Sequence, residues 1–78
     1  MEETDIEYIL KQVCDDLGIK IVESRYYVNE STWHDFETYE DMFRVLYVLL
    51  DRLNKLNTEF KITIHNGDVH AIELFLEC

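Results

Sequence analysis

Residues 38–57, TYEDMFRVLYVLLDRLNKLN, fit one kind of regular structure. At 100° per residue, Tyr39, Met42, Phe43, Val45, Leu46, Leu49, Leu50, Leu53 and Leu56 fall within about 160° of arc, a broad apolar stripe on a helix. Glu40, Asp41, Arg44, Asp51, Arg52 and Lys55 take the remaining circumference, with Glu40/Arg44 and Asp51/Lys55 spaced i,i+4 in the favourable order. Thr38, three residues before Asp41, reads as an N-cap with a carboxylate near the positive end of the helix dipole. Such a helix owes its stability to packing, so the stripe requires a sheet to cover it.

The flanking segments supply that sheet. Residues 1–18 predict a first helix, with Thr4 and Glu7 in capping-box spacing and a narrow stripe of Ile6, Ile9, Leu10, Val13 and Leu17. Tyr8 points away from the stripe, and Gly18 is placed as the residue just past the helix end. Residues 19–28 are β-branched and aromatic, as a strand requires. Ile19 and Ile21 alternate out of phase with Val22, Tyr26 and Val28, so this strand is either bulged near Glu23–Arg25 or covered on both faces. A turn over Asn29–Ser31 leads to a short strand at 32–37, with Trp33 and Asp35 on one face and His34 and Phe36 on the other. After the long helix, Asn57 suits a left-handed cap, and FKITIH and DVHAIELFLEC read as strands joined across Asn66-Gly67. A three-residue loop using Gly67 as a bulge puts Phe60, Ile62, Ile64, Ile72, Leu74 and Leu76 on one face, and sets His70 opposite Ile62. A two-residue loop needs a further bulge to do the same, so the first register is preferred. The expected fold is α+β, order α-β-β-α-β-β. It has a four-stranded, mainly antiparallel sheet and the long amphipathic helix packed on one face. Residues 1–78 form a single compact domain, with the first helix beside the long one or closing an edge.

Composition narrows the function. The chain has 17 acidic and 7 basic residues, a formal charge of −10 over 78 residues. That balance excludes direct binding to nucleic acid or to an anionic membrane surface, both of which need a positive patch. No apolar run reaches the 18 or so residues that span a bilayer. The N-terminus is acidic where a secretory signal is basic, and two cysteines, Cys14 and Cys78, make no disulfide framework. The expected location is a cytosol, bacterial or that of a host cell. The charge falls in two blocks. Residues 1–10 carry four acids and no base; residues 26–43 carry Glu30, Asp35, Glu37, Glu40 and Asp41 and no base. The second block is interleaved with aromatic residues, which suits a surface with an apolar centre and a rim that meets Lys and Arg.

The partner expected is therefore a basic protein surface, met by Glu30, Trp33, Asp35, Phe36, Glu37, Tyr39, Glu40 and Asp41. Carboxylates spaced on a rigid frame can stand in for phosphates, and a nucleic-acid channel lined with Lys and Arg would be steered towards them. Small acidic α+β proteins that block restriction, repair or CRISPR enzymes, many of them carried by phages or mobile elements, are similar in composition. The expected function is thus an inhibitor or adaptor, with DNA mimicry as its sharpest form. The alternative is a structural module that self-associates as a homodimer through the Tyr47/Val48 face of the long helix or a free strand edge. His65, Asp68 and His70 around the last turn, and His34 with Asp35, match no metal-ligand spacing, so no metal is expected. The only glycines, Gly18 and Gly67, have structural uses, so no phosphate loop exists and no cofactor is expected. Cys14 lies beside Asp15 and Asp16, which oppose a reactive thiolate, and reads as a small hydrophobe. No catalytic constellation is present, so the chain is not expected to be an enzyme.

Overall fold

A computed structural model describes residues 3–28, 30–57 and 59–75. The elements run α1 (Glu3–Leu17), β1 (Ile21–Tyr27), β2 (Ser31–Phe36), α2 (Tyr39–Lys55), β3 (Ile62–Asn66) and β4 (His70–Phe75). The strands form one antiparallel sheet in the order β1-β2-β4-β3, so the two hairpins meet along β2 and β4. This is the α+β fold expected, with both helices on one face. α1 packs alongside α2, and α2 reaches β2 and β4.

Local chemistry explains where the elements begin and end. Thr38 has extended backbone and its Oγ1 accepts from the Asp41 N–H at 3.1 Å, so α2 starts there. α1 ends in two bonds of a Schellman motif, Ile19 N–H to Cys14 C=O at 2.9 Å and Gly18 N–H to Asp15 C=O at 3.2 Å. Gly18 takes the left-handed conformation that this motif needs, with φ at 69°. Asn57, at φ 55°, plays the same part after α2. At the start of α1 the expectation fails. The helix already includes Glu3 and Thr4, and Glu7 hydrogen-bonds His34 on the sheet rather than the helix end.

The core lies between the helices and one face of the sheet. Leu10 and Val13 of α1, Met42, Val45, Leu49 and Leu53 of α2, and Phe36, Ile72 and Leu74 of the sheet are buried there. The α2 stripe is narrower than its sequence suggests: Tyr39, Phe43 and Leu56 are exposed, because the i, i+3, i+7 and i+11 seam from Met42 to Leu53 fills the available width. Val48 is half-buried against the core and Tyr47 is exposed. The irregularity in β1 falls between Ile21 and Glu23, slightly before the position expected. In the last hairpin Asn66 pairs with His70, Ile64 with Ile72 and Ile62 with Leu74, a three-residue loop. His70 thus faces Asn66, not Ile62, and Gly67 does not use left-handed backbone. Leu76, and the pairing of Cys78 with Cys14, lie outside the described residues; Cys14 itself is a buried free thiol. Among the described residues, no helix is long and apolar enough to cross a membrane.

Candidate functional site

The face of the sheet turned away from the helices is closed by its own side chains. Directly opposed residues share a face, so Arg25, Trp33, Glu73 and Thr63 form one row across it, and Glu23, Asp35, Ala71 and His65 the next. Ala71 has almost no side chain to stand between these rows. Trp33 and His65 therefore meet above β4 with ring centroids 3.9 Å apart and planes 15° from parallel. Beneath them, Glu73 accepts hydrogen bonds from Ser31 Oγ at 2.6 Å and His65 Nε2 at 2.8 Å. Burial pushes the Glu73 carboxyl up, but these two donors and the Trp33 indole outweigh it, and the group is held below its ordinary value. On the other side of Trp33, the Arg25 guanidinium stands 5.2 Å from the ring centroid and Tyr27 meets the indole edge-on. The result is a stiff aromatic plate with a charged foundation.

A second feature occupies the end of the molecule where β2 leaves the sheet. The start of β1, the close of β2, the residue before the α2 cap and the β3–β4 turn converge on a shallow groove lined by Val22, Asp35, Phe36, Glu37, Asp68, Val69 and His70. Glu40 and Asp41 follow in the first turn of α2. Exposed Tyr39 lies between them and the turn, its ring 6.4 Å from those of both Phe43 and His70.

The eight residues expected at one surface are divided between these features and the core. Glu37, Tyr39, Glu40 and Asp41 stay together at the acidic end, where Glu37 and Asp41 also border a second groove that they share with Lys20 and Arg44. Phe36 is 4% exposed and belongs to the core, showing only an edge at the floor of the groove. Trp33 lies in the aromatic plate. Asp35 borders the groove but is held by Arg25, whose Nη2 donates to both its oxygens at 3.1 and 3.2 Å. Glu30 sits in the β1–β2 turn, the length of β2 away, about 20 Å. Sequence reasoning missed Asp68, brought in by the hairpin, and the role of Glu73. Strict alternation along β3 and β4 signals the latter, since it sets Thr63, His65, Ala71 and Glu73 on one face.

On the helix face, His34 is fully buried and held from both sides. Its Nε2 is 2.5 Å from Glu7 Oε1 on α1, and its Nδ1 is 2.7 Å from Ser24 Oγ on β1. Burial lowers its pKa, so the ring is neutral at pH 7; Glu7 stands close enough to oppose that shift but does not cancel it. A neutral ring facing a carboxylate carries its proton on Nε2, so Nδ1 accepts from the Ser24 hydroxyl. The order hydroxyl–imidazole–carboxylate is that of an activated serine, but with the imidazole wholly shielded its evident work is to tie α1 to β1 and β2. Burial, reinforced by Asp15, pushes the Cys14 thiol up to about 11, so it is inert at neutral pH. Among the described residues no three His, Cys, Asp or Glu side chains gather as a metal site would need.

No protein-family model matches this sequence, and no curated protein matches it.

Proposed function

We propose that this chain is a small protein-binding module, an inhibitor or adaptor acting in a cytosol, and that it works by binding rather than by catalysis. Its partner is a basic protein surface, and the contact is the acidic end built by Glu37, Tyr39, Glu40, Asp41 and Asp68. The observation that carries this reading is the groove that brings Asp68 of the β3–β4 turn beside Glu37, with Glu40 and Asp41 following in the first turn of α2. Tyr39, 53% exposed, and Val69 offer apolar area at the centre, with carboxylates at the rim to meet Lys and Arg. An extended phosphate-like array is the less favoured form, because Asp35 is neutralised by Arg25, Glu7 is engaged by His34 and Glu30 stands at the other end of β2. A compact basic patch, whether or not it also binds nucleic acid, fits better than a long channel.

Glu40→Lys with Asp41→Lys tests the proposal. A partner captured by the unaltered protein is expected to bind the double variant at least about tenfold more weakly, and to be released as salt rises to about 0.5 M. Because both acids sit in the first turn of α2, thermal unfolding of the variant must be compared, with a cost of about 0.3–1 kcal/mol expected per reversal. A folded double variant with undiminished affinity, or binding indifferent to salt, would exclude the acidic end as the contact.

A further inference from the structure

We infer that β1 is the pairing edge of a symmetric homodimer, with Ser24 at the two-fold axis. β1 is an outer strand of the sheet, so every second backbone N–H and C=O faces away from β2. Among the described residues it is the longest strand, seven residues; it carries no proline or lysine, and its bulge lies at one end, at Val22, which leaves Glu23–Tyr27 as a regular stretch. Large apolar side chains stand exposed along it and just beyond it, Val22 at 62%, Tyr26 at 59%, Tyr27 at 42% and Val28 at 84%. A groove of about 500 Å³, bordered by Cys14, Ser24 and Tyr26, separates α1 from this strand, so the helix layer stands back from the edge.

The strand's own sequence selects a second copy as the occupant. A two-fold axis normal to the sheet keeps the helices of both copies on one face and opposes residues of equal parity, so a residue lies on the axis. Centred on Glu23, the pairing sets two carboxylates face to face; centred on Arg25, two guanidinium groups. Centred on Ser24, it opposes Glu23 to Arg25 twice, so the charges are complementary, with the bulged Val22 just outside the regular pairing. Glu23 is free to serve: its side chain is 63% exposed and comes no nearer than 4.0 Å to Arg25 of its own chain. The two sheets then join as one of eight strands, with Tyr26 of each copy brought under cover. This inference does not depend on the carboxylates of the acidic end, although Val22 borders that groove as well as the β1 edge.

Ser24→Cys in a Cys78→Ser background gives the most direct test. Thermal unfolding must show that the protomer survives loss of the Ser24–His34 hydrogen bond, and the mass of the reduced and oxidised monomer that it forms no internal bond to Cys14. Directly opposed residues of an antiparallel pair have Cα atoms about 4.5–5.5 Å apart, within disulfide range. Mild oxidation is therefore expected to give a covalent dimer through the two introduced thiols, absent from the Cys78→Ser parent. Sedimentation supplies an independent measurement on the unaltered chain, expected to be dimeric at high concentration. Glu23→Arg sets arginines opposite each other while facing Asp35 within its own chain, so the protomer keeps its stability and the dimer weakens about tenfold or more. Each copy carries a charge of −10, so salt strengthens this dimer, whereas it weakens binding to a basic partner. A monomer at high concentration, or a dimer that Ser24→Cys fails to trap and Glu23→Arg leaves intact, would overturn the inference.

Discussion

At His34 one imidazole is fixed from both sides inside the core, by Glu7 of α1 and Ser24 of β1. Its proton affinity is lowered chiefly by burial. The unfolded chain therefore takes up a proton near the ordinary value of 6.5 while the folded protein resists, so stability is greatest above pH 6.5 and falls as the pH drops below it. The slope from this one group reaches at most about 1.4 kcal/mol per pH unit. Urea unfolding from pH 8 to pH 5 is expected to show it. His34→Gln is expected to be less stable at pH 8, by about 1–3 kcal/mol, and to lack this part of the slope. A variant whose pH dependence parallels the unaltered protein would place the titration elsewhere. The sequence marks His34 only as sharing a face with Phe36. That α1 returns over it with a carboxylate depends on a contact 27 residues away in the chain.

The helices show how much of an element is decided by a few residues at its ends. Gly18 sits in the left-handed region at φ 69° with nothing within 4 Å of where a Cβ would stand, so an added side chain meets conformational cost and no clash. Gly18→Ala is expected to lower stability by about 1 kcal/mol, or the melting temperature by about 5 °C, and Gly18→Asn by less, since asparagine tolerates this backbone. Thermal unfolding of both variants checks it, and an alanine variant as stable as the parent would remove the assigned role. These caps were readable beforehand because each is a short-range pattern: Thr38 before Asp41, glycine after the last apolar position. The failed cap at Thr4 has the same spacing, but Glu7 found a stronger partner in a buried imidazole.

Over the whole molecule the charge of −10 is the property with the widest reach. Ion pairs offset only part of it: Arg25 with Asp35, Arg52 with Asp16 across the helices, and Lys55 with Asp51 along α2. The last two are exposed and stabilise little. Mutual repulsion of the remaining acids opposes the compact state, and salt screens it with a Debye length of about 3 Å at 1 M against about 30 Å at 0.01 M. The melting temperature is therefore expected to rise by several degrees between low salt and about 0.5 M sodium chloride. A fall instead would mean that the ion pairs outweigh the net repulsion.

By itself the sequence determined the order of elements, the α2 cap, the glycine stop after α1, the length of the hairpin loop and the faces of β2, but neither the register of the last hairpin nor the faces of β1. The features it determined follow from periodicity and from contacts a few residues apart. Only the tertiary structure decided which carboxylates stay free. Pairing β1 with β2 set Arg25 beside Asp35, docking α1 carried Glu7 to His34, the hairpin set Glu73 beneath Trp33 and His65, and the β3–β4 turn delivered Asp68 to the acidic end. A charge count along the chain cannot see these partners, because electrostatic contact depends on distance in space, and the fold brings together residues that the chain keeps far apart.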